Sequence, residues 1–518
     1  MSAVLAVRDL SVALPPGSDR QFAVEGVSFD LQRGEILCIV GASGSGKSVL
    51  SAAIMGALPG RLRQTHGSIA LGGRELTGLP SAALRALRGN RMALIPQEPL
   101  AALNPTMTIA RQLGEVFDLH AQLPAAERHR RVRALLEAMH LPDIERIARS
   151  YPHQLSGGQC QRICIAMALA LGPDVLIADE PTTALDVTTQ AQILRLIREG
   201  RDRSGHGVLF ITHDFGVVRD IADRVAVMEA GRLVEIGAAA DVLVRPAHAY
   251  TRALLAAVPK LECKAPCLPA PAAMTVTGLT RHFGATRALD GVDLVLERGA
   301  TLAIVGESGS GKSTLARALV RIVEPGGGSV DIGGIDLLAQ RGPGLRRARR
   351  QVQMIFQDPY GALNPRRRVG SMIARAAVLG GLGNAAARDR AAELLALVGL
   401  PADAFDRYPA AFSGGQRQRI GIARALAMNP AVLIADESVS ALDVLVQAQV
   451  LALLAELQAR LGVAMLFITH DLRVACAISD RIAVMRRGKI VESCDAATLL
   501  AHPVHDYTRA LIAAIPGQ

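Results

Sequence analysis

Short runs of uninterrupted apolar residues stand out along the chain from longer segments in which apolar and polar positions mix. Residues 36–40 (ILCIV) and 302–305 (LAIV) are two such runs, and each leads directly into a glycine-rich loop and then an apolar, helix-like segment. Residues 175–178 and 432–435 (both VLIA) are two more, and each ends in a pair of carboxylates. The pattern predicts that all four runs are buried strands. The runs at 36–40 and 302–305 are each predicted to continue as a strand–loop–helix unit.

The same pattern occurs twice. Six motifs recur in the same order: GASGSGKS at 41–48 and GESGSGKS at 306–313, LNP at 103–105 and 363–365, SGGQ at 156–159 and 413–416, IADE at 177–180 and 434–437, ITHD at 211–214 and 468–471, and YTRAL at 250–254 and 507–511. The offset is 306 − 41 = 265 residues at the first motif and 413 − 156 = 257 at the SGGQ motif. Such repetition predicts two copies of one fold, at 1–259 and 274–518, joined by a Pro- and Ala-rich linker at 260–273.

Composition supports an α/β class for both copies. Half of the residues are hydrophobic, but only 3% are aromatic and tryptophan is absent, so the core must be aliphatic. Aliphatic cores favour helices packed on parallel strands over an all-β sandwich. At 518 residues the chain is also too long for a single core.

The formal net charge of +10 raises the question of an anionic partner. Arginine carries nearly all of the charge, and its densest clusters are 346–350 and 366–368. No aromatic residues are interleaved with these clusters, as they would be in many nucleic-acid-binding surfaces. We interpret both clusters as solvated faces and expect no nucleic-acid partner.

The seven cysteines are an odd number in a long chain, which is not typical of a disulfide framework and favours a reducing compartment. Cys263 and Cys267 lie in the linker without the further ligands that a metal or an iron–sulfur cluster would require, so we expect no special role for them. The N-terminus lacks a signal-peptide pattern, and no stretch approaches the ~20 apolar residues of a spanning helix. A soluble protein is expected.

The glycine-rich loops match G-x-x-x-x-G-K-[ST], a phosphate cradle when it joins a strand to a helix. Lys47 and Lys312 are expected to reach the β- and γ-phosphates, and Ser48 and Ser313 to bind Mg²⁺. A chance glycine turn is the alternative, but two of only five lysines lie in these loops. The predicted nucleotide-binding residues of the loops are Gly41, Ala42, Ser43, Gly44, Ser45, Gly46, Lys47 and Ser48, and Gly306, Glu307, Ser308, Gly309, Ser310, Gly311, Lys312, Ser313 and Thr314.

The carboxylate pairs suit phosphoryl transfer. A strand that buries four aliphatic residues does not end in two carboxylates without a reason. Asp179 and Asp436 are expected to hold Mg²⁺. Glu180 and Glu437 are expected to act as general bases that polarise the attacking water. An ordinary strand end is the alternative for each pair taken alone.

Both copies resemble the ATP-binding cassettes of ABC transporters. LSGGQ at 155–159 and FSGGQ at 412–416 match that family's signature motif, and SGG at a helix start is an anion-binding arrangement. The resemblance implies two tandem P-loop NTPase cassettes, each with a RecA-like core, an antiparallel β region and a helical subdomain, and ATP hydrolysis as the activity. The signature residues implied to contact ATP are Ser156, Gly157, Gly158, Gln159, Ser413, Gly414, Gly415 and Gln416.

The same resemblance implies roles for further residues. Each signature would cap the γ-phosphate held by the other half, which gives two composite sites. Gln97 and Gln357 match the Q-loop, which touches Mg²⁺ and water, and His213 and His470 match the switch histidine, which contacts the γ-phosphate. Phe283 is placed to stack on adenine in the second half. The corresponding position in the first half is Leu14, and Phe22 is the alternative there.

Other segments resemble the dipeptide/oligopeptide/nickel importer branch: QEPLAALNP at 97–105, QDPYGALNP at 357–365, and the two YTRAL endings. This resemblance implies an ATPase that powers uptake of peptides or peptide-like solutes from the cytoplasmic face of the inner membrane. It also implies two permease subunits and an extracytoplasmic solute-binding protein as partners. The alternatives are a duplicated-cassette ATPase that acts on ribosomes and an ATPase-like subunit of a carbon–phosphorus lyase complex. The short, apolar linker and the importer-type endings favour transport.

Overall fold

The computed structural model describes residues 3–183, 185–264, 270–440 and 442–517, so Cys267 of the predicted linker lies outside the described residues. The chain divides into two compact units, built mainly from residues 3–257 and 258–515. These two units correspond to the two sequence copies. The exact domain limits stay a prediction.

The first unit contains ten strands and eleven helices in the part of the chain that the structure describes. The strands are β1 (Ala3–Ala13), β2 (Phe22–Gln32), β3 (Ile36–Val40), β4 (Arg63–Leu71), β5 (Arg74–Glu75), β6 (Met92–Ile95), β7 (Val175–Asp179), β8 (Gly207–Thr212), β9 (Arg224–Glu229) and β10 (Arg232–Ala238). The helices are α1 (Lys47–Ile54), α2 (Ser81–Leu87), α3 (Pro99–Ala102), α4 (Ile109–His120), α5 (Ala125–Ala138), α6 (Ile144–Arg149), α7 (Gly157–Leu169), α8 (Val187–Ser204), α9 (Phe215–Ile221), α10 (Ala239–Val244) and α11 (Ala249–Ala257).

The second unit repeats this order of elements. Its strands are β11 (Ala272–Phe283), β12 (Thr286–Glu297), β13 (Thr301–Val305), β14 (Gly327–Ile332), β15 (Ile335–Asp336), β16 (Val352–Ile355), β17 (Val432–Asp436), β18 (Ala464–Ile468), β19 (Arg481–Arg486) and β20 (Lys489–Asp495). Its helices are α12 (Lys312–Leu319), α13 (Gly342–Gln351), α14 (Pro359–Ala362), α15 (Val369–Gly380), α16 (Asn384–Leu397), α17 (Gly414–Leu426), α18 (Val444–Leu461), α19 (Leu472–Ile478), α20 (Ala496–Ala501) and α21 (Asp506–Ala513).

Each unit has two sheets. In the first unit an antiparallel sheet has the order β2-β1-β4-β5, and a six-stranded sheet has the order β10-β9-β3-β8-β7-β6. The five strands β9, β3, β8, β7 and β6 run parallel, and β10 is antiparallel to β9. The corresponding sheets of the second unit are β12-β11-β14-β15 and β16-β17-β18-β13-β19-β20. The buried apolar runs of the sequence are the parallel strands, as the pattern predicts.

Strand register brings the candidate chemistry to one edge of the parallel sheet. In the first unit Val40, at the end of β3, pairs with Thr212, and Asp179, at the end of β7, pairs with Ile211. Carboxyl ends of parallel strands form the usual ligand crevice of open α/β sheets. The glycine-rich loop, the carboxylate pair and the histidine motif therefore converge although they are distant in sequence.

The aliphatic core of the first unit lies between its two sheets. Val7 and Leu10 of β1 and Val27 of β2 pack in one buried cluster with Ile39 of β3 and Leu50 of α1. A separate helical region is built from α4, α5 and α6, with Leu113, Phe117 and other apolar residues buried. In the second unit α15 and α16 form the corresponding region. The fold class predicted from the sequence, two tandem α/β cassettes with an antiparallel region and a helical subdomain, is confirmed.

Helix α18 is unusually apolar for its length. By length and composition alone α18 could cross a membrane, with 18 residues and a mean hydropathy of 1.3. The sequence prediction that no stretch comes close to a spanning helix overlooked it. Val450, Leu454 and Leu457 of α18 are buried in the second unit's hydrophobic core. We therefore interpret α18 as a core helix.

Candidate nucleotide-hydrolysis sites

The glycine-rich loop of the first unit is folded around its lysine. Lys47 is 5% exposed, and its Nζ donates hydrogen bonds to the carbonyls of Gly41 (2.8 Å) and Ala42 (2.9 Å). Gly46 precedes α1 with φ +103°, and a Cβ there would lie 2.3 Å from the Ala23 carbonyl oxygen. Only glycine fits this conformation and this close approach. The remaining loop residues, 42–45, lie between β3 and α1, with Ser48 in the first helical turn.

The second loop repeats this geometry. Lys312 Nζ donates to the carbonyls of Gly306 (2.7 Å) and Glu307 (2.8 Å), and Gly311 has φ +110°. Burial lowers the pKa of the Lys312 ammonium group and outweighs the nearby carboxylates, which act in the opposite direction. The Ser310 hydroxyl is buried and has no hydrogen-bond partner within the described part of the chain. Residues 307–310 lie in the loop, and Ser313 and Thr314 lie in the first turn of α12.

A hydroxyl–carboxylate pair lies beside each loop. Ser48 Oγ donates to Asp179 Oδ1 at 3.3 Å, and Ser313 Oγ donates to Asp436 Oδ1 at 3.1 Å. Burial raises the pKa of both aspartates and outweighs the serine hydrogen bonds. A nearby cation would remove this penalty on the charged form.

The two pairs differ in one partner that sequence reasoning missed. Ser51 is buried in α1, and its hydroxyl donates to the second oxygen of Asp179 at 3.0 Å. The corresponding position of the second unit, by the 265-residue offset of the loops, is Ala316. An alignment of the two copies with each other could have revealed this difference, because it places a polar residue in one copy opposite an apolar residue in the other.

Each glutamate after the carboxylate strand has an unusual backbone. Glu180 has φ +46° and Glu437 has φ +44°, in the left-handed region that non-glycine residues avoid. Their N–H groups donate to the carbonyls of Ile211 (2.9 Å) and Ile468 (3.0 Å) on the neighbouring strands. Such strain costs about 1–2 kcal/mol per residue and clusters at functional sites. The same strain at the same position of both copies supports a functional role.

The Q-loop glutamine and the switch histidine meet at this glutamate in the first unit. Gln97 Nε2 donates to Glu180 Oε2 at 3.0 Å, and His213 Nδ1 lies 3.4 Å from Glu180 Oε1. Thr183 Oγ1 also donates to Glu180 Oε2, at 2.9 Å. Burial alone would raise the pKa of the Glu180 carboxyl. The hydrogen bonds and charges of His213, Thr183 and Lys47 together outweigh burial and hold that pKa below its usual range. The carboxylate is therefore ionised at neutral pH, as a general base requires.

The second unit has the same triad of glutamine, glutamate and histidine. Gln357 Nε2 donates to Glu437 Oε2 at 2.7 Å, and His470 Nδ1 lies 3.6 Å from Glu437 Oε1. Burial would raise the pKa of the Glu437 carboxyl, but the interaction with His470 again lowers it. The structure therefore brings together the predicted glutamine, glutamate and histidine in both units.

The signature residues form helix N-termini. Ser156 caps α7: its hydroxyl accepts from the N–H of Gln159 (3.3 Å), and Gln159 Oε1 accepts from the N–H of Ser156 (3.0 Å). The N–H groups of Gly157 and Gly158 then have no partner inside the helix. This reciprocal cap is a capping box, and it leaves a positive helix end suited to an anion.

The second signature has an identical cap on α17. Ser413 Oγ accepts from the N–H of Gln416 at 3.4 Å, and Gln416 Oε1 accepts from the N–H of Ser413 at 3.0 Å. Gly414 and Gly415 follow the cap, and a Cβ on Gly415 would lie 2.2 Å from a methyl carbon of Val446. The second glycine is thus needed for close packing of α17 on α18, a constraint that the motif alone did not reveal.

The adenine-stacking candidates differ between the units. Phe283 ends β11 and is 48% exposed, and the Arg281 guanidinium lies 4.7 Å from its ring centroid. Leu14 and Phe22 are both half-buried near the hairpin between β1 and β2. The second unit alone, among the described residues, thus offers an exposed aromatic ring at this position.

We expect Phe283→Ala to weaken ATP binding at the second site by about 1–3 kcal/mol, the range for base–aromatic stacking. Stability should fall by no more than about 1 kcal/mol, because the ring is half exposed and what it loses is mainly a surface contact with Arg281. Titration with a fluorescent ATP analogue and thermal unfolding measure the two effects. Phe22→Ala is the comparison in the first unit. An unchanged ATP affinity in Phe283→Ala would show that Phe283 does not stack on adenine.

The oxygen donors fit Mg²⁺ when ATP is bound. No group of three or more His, Cys, Asp or Glu side chains within the described ranges is placed to hold a metal ion. Mg²⁺ in nucleotide sites instead takes one or two protein ligands beside phosphate and water oxygens. Ser48 with Asp179, and Ser313 with Asp436, supply such pairs.

Two family models match this chain. The family model described as ABC transporter matches residues 24–183 and 289–440. The model described as oligopeptide/dipeptide transporter, C-terminal region, matches residues 234–277 and 491–517. Both family models therefore match once in each copy.

Two curated relatives align over nearly the whole chain. Peptidoglycan transport ATP-binding protein YejF of Agrobacterium fabrum is 47% identical over 526 residues, which cover 99% of this chain and 96% of the relative. Glutathione import ATP-binding protein GsiA of Escherichia coli strain K12 is 45% identical over 565 residues, which cover 99% of this chain and 89% of the relative.

A solved structure of the ATP-binding cassette MJ0796, a dimeric post-hydrolysis state bound to ADP and Pi, matches with 26% identity and a TM-score of 0.42. The match covers 45% of this chain and 98% of that chain. The two family models and the full-length relatives confirm the family and the ATPase activity that the sequence motifs predict. The chain belongs to the ABC transporter family, in its oligopeptide/dipeptide group, as an ATPase with two ATP-binding cassettes in one chain.

Proposed function

We propose that this chain hydrolyses ATP to power the import of peptides or peptide-like solutes through a membrane permease. One observation carries the hydrolytic part of the proposal: in both units a strained, ionised glutamate contacts a glutamine and a histidine at the end of a carboxylate-bearing strand. The two copies retain the same triad, so both sites are expected to be catalytically competent.

The proposed division of roles follows from the contacts. Glu180 and Glu437 act as general bases toward water. His213 and His470 hold these carboxylates in place and are free to contact the γ-phosphate on their other side. Ser48 and Asp179, with Gln97, would hold Mg²⁺ at the first site, and Ser313 and Asp436, with Gln357, would hold it at the second. The ion would neutralise negative charge on the phosphates there.

We propose that each nucleotide is shared between the two halves. The loop with Lys47 would work with the signature at Ser413, and the loop with Lys312 with the signature at Ser156. The capped helix N-termini of the signatures support a contact with the γ-phosphate, because their N–H groups suit an anion. The pairing across the two halves follows from the resemblance to ABC cassettes. Fusion into one chain raises the effective concentration of one half for the other.

Importer function is supported by the C-terminal segments. The oligopeptide/dipeptide C-terminal model matches both copies, and the relatives named above are import or transport ATP-binding proteins. Peptide-like solutes, among them glutathione and peptidoglycan-derived peptides, are therefore the first substrates to test. The proposed partners are two permease subunits and an extracytoplasmic solute-binding protein, with the chain peripheral at the cytoplasmic face of the inner membrane.

The helical subdomains are the proposed docking surfaces for the permeases. In the second unit a cavity of about 390 Å³ lies between β16 and helices α15 and α17. Phe356, next to Gln357, lines it together with Met372 and Arg375. A permease segment seated there would be one residue from the glutamine that contacts Glu437, which provides a route from docking to hydrolysis.

The proposal is tested in the native host by tagging the chain, solubilising membranes in detergent and identifying copurifying proteins by mass spectrometry. Two multi-span permeases are expected. Uptake of labelled glutathione and of a labelled peptidoglycan peptide is then measured in cells that lack the chain, complemented with wild type or with the Glu180→Gln/Glu437→Gln variant.

Uptake restored by wild type but not by the variant supports the proposal and identifies the substrate class. Copurification of ribosomal proteins, or of a soluble metabolic complex, in place of permeases would leave the ATPase intact and overturn the transport function.

A further inference from the structure

A tyrosine in the C-terminal segment of each unit reaches the phosphate-binding loop. In the first unit the N–H of Ala42 donates to the Tyr250 hydroxyl oxygen at 3.0 Å. In the second the N–H of Glu307 donates to the Tyr507 hydroxyl oxygen at 2.9 Å. The partners are 208 and 200 residues apart in sequence. Because the loop residue differs between the units while the contact is the same, the contact belongs to the fold and not to one local sequence.

The loop residue that bonds to the tyrosine also bonds to the loop lysine. Lys47 Nζ donates to the carbonyl of Ala42 at 2.9 Å, and Lys312 Nζ donates to the carbonyl of Glu307 at 2.8 Å. The loop residue is therefore fixed at its N–H by the tyrosine and at its carbonyl by the lysine. A rotation of its backbone would displace an acceptor of the ammonium group.

The turn before the tyrosine is itself held firmly in the first unit. Glu235 of β10 accepts hydrogen bonds from the N–H groups of Ala247 (2.7 Å) and His248 (3.1 Å). His248 Nδ1 then accepts from the N–H of Tyr250 at 3.2 Å. Helix α11 is thus fixed to the sheet that carries the loop.

The second unit has the same construction. Glu492 of β20 accepts from the N–H groups of Val504 (2.8 Å) and His505 (3.0 Å), and His505 Nδ1 accepts from the N–H of Tyr507 at 3.0 Å. The Arg486 guanidinium also lies 4.7 Å from the Tyr507 ring centroid. These contacts fix both the position and the ring orientation of Tyr507.

A neutral hydroxyl is well suited to this place. Tyr507 is 5% exposed, and burial raises its pKa to about 12, so the phenol keeps its proton at neutral pH. The oxygen can accept the loop N–H without adding negative charge next to a site for polyphosphate. A carboxylate in the same position would accept the N–H but would repel the ligand.

We propose that Tyr250 and Tyr507 are positioning residues, which hold the two phosphate-binding loops in the geometry that receives ATP, so that the C-terminal segment of each unit sets ATP affinity. The inference rests on the proposed role of these loops as nucleotide sites. It gives a physical role to the segments matched by the oligopeptide/dipeptide C-terminal model.

The test is the Tyr250→Phe/Tyr507→Phe variant, which keeps both rings and removes both hydroxyls. We expect the KM for ATP to rise about fivefold, the effect of one ordinary hydrogen bond, while kcat at saturating ATP stays within about twofold. The thermal unfolding midpoint without nucleotide should fall by no more than a few degrees, because each loop N–H loses one hydrogen-bond partner. Tyr360→Phe, which removes a hydroxyl from a side chain that is 66% exposed, is the matched control.

A lowered unfolding midpoint with an unchanged KM would reduce the tyrosines to structural residues and overturn the inference. So would an unchanged KM in a normally stable variant. The Lys47→Met/Lys312→Met variant tests separately whether the loops bind nucleotide at all. If this variant binds ATP normally, the loops are not the nucleotide sites, whatever the tyrosines do.

Discussion

ATP hydrolysis is expected to fall by about 10²–10⁴-fold, the usual contribution of a general base, when Glu180 and Glu437 are both replaced by glutamine. Glutamine keeps the size and the hydrogen-bonding reach of the side chain but is too weak a base to take a proton from water. ATP affinity should be retained, because the loop lysines are untouched. Phosphate release and equilibrium ATP binding, measured on the same preparation, separate the two effects.

Glu456→Gln is the matched control, since Glu456 is an exposed residue of α18 outside the sites. The two single variants report whether the sites act independently. If each alone abolishes turnover, the two sites are coupled; if each halves it, they are independent. Hydrolysis by the double variant at the wild-type rate would contradict the assignment of the bases.

Binding of ATP itself should be lost most severely in the Lys47→Met/Lys312→Met variant. In the proposed sites each lysine would supply charge-assisted hydrogen bonds to phosphate, worth about 1.5–3 kcal/mol, so affinity at each site should fall about 10- to 100-fold. The buried loop carbonyls that the ammonium group now satisfies would also lose their donor. Isothermal titration calorimetry with Mg-ATP measures the change directly.

Lys260→Met provides the control for this experiment, because Lys260 is exposed and its ion pair with Glu262, at 3.8 Å, is a surface contact. Surface pairs of this kind contribute little. An affinity within twofold of wild type in the double loop variant would show that phosphate is bound elsewhere.

The parts of the site that could be predicted from sequence are those carried by contiguous motifs. The glycine-rich loop around Lys47 and the strand ending in Asp179 each contain their structural context: an apolar strand, a required glycine and a charged residue at a fixed spacing. Both predictions gained support because each motif occurs once in each copy of the fold. The family resemblance implied separate roles for Gln97, Glu180 and His213 around the γ-phosphate. It did not predict that Gln97 and His213 both contact Glu180, which is what the structure shows.

Features that depend on strand order could not be predicted in the same way. The left-handed backbone of Glu180 is fixed by a hydrogen bond to Ile211 on the neighbouring strand, which no local propensity reveals. The bond from Ser51 to Asp179 and the contact of Tyr250 with Ala42 likewise join segments that only the sheet topology brings together. Sequence patterns identify which residues are chemically capable, and the fold determines which of them meet.

The positive φ angles at Glu180 and Glu437 also have a consequence for how this protein evolves. Glycine adopts this conformation without strain, and asparagine does so at a smaller cost than other residues. Every other residue bears the full conformational cost there. Both copies nevertheless have glutamate there, as selection for ATP hydrolysis would require. In a lineage released from this selection, the two positions are among the first at which a substitution would gain stability. Glycine or asparagine at one of them in a related chain would therefore mark a cassette that binds ATP without hydrolysing it.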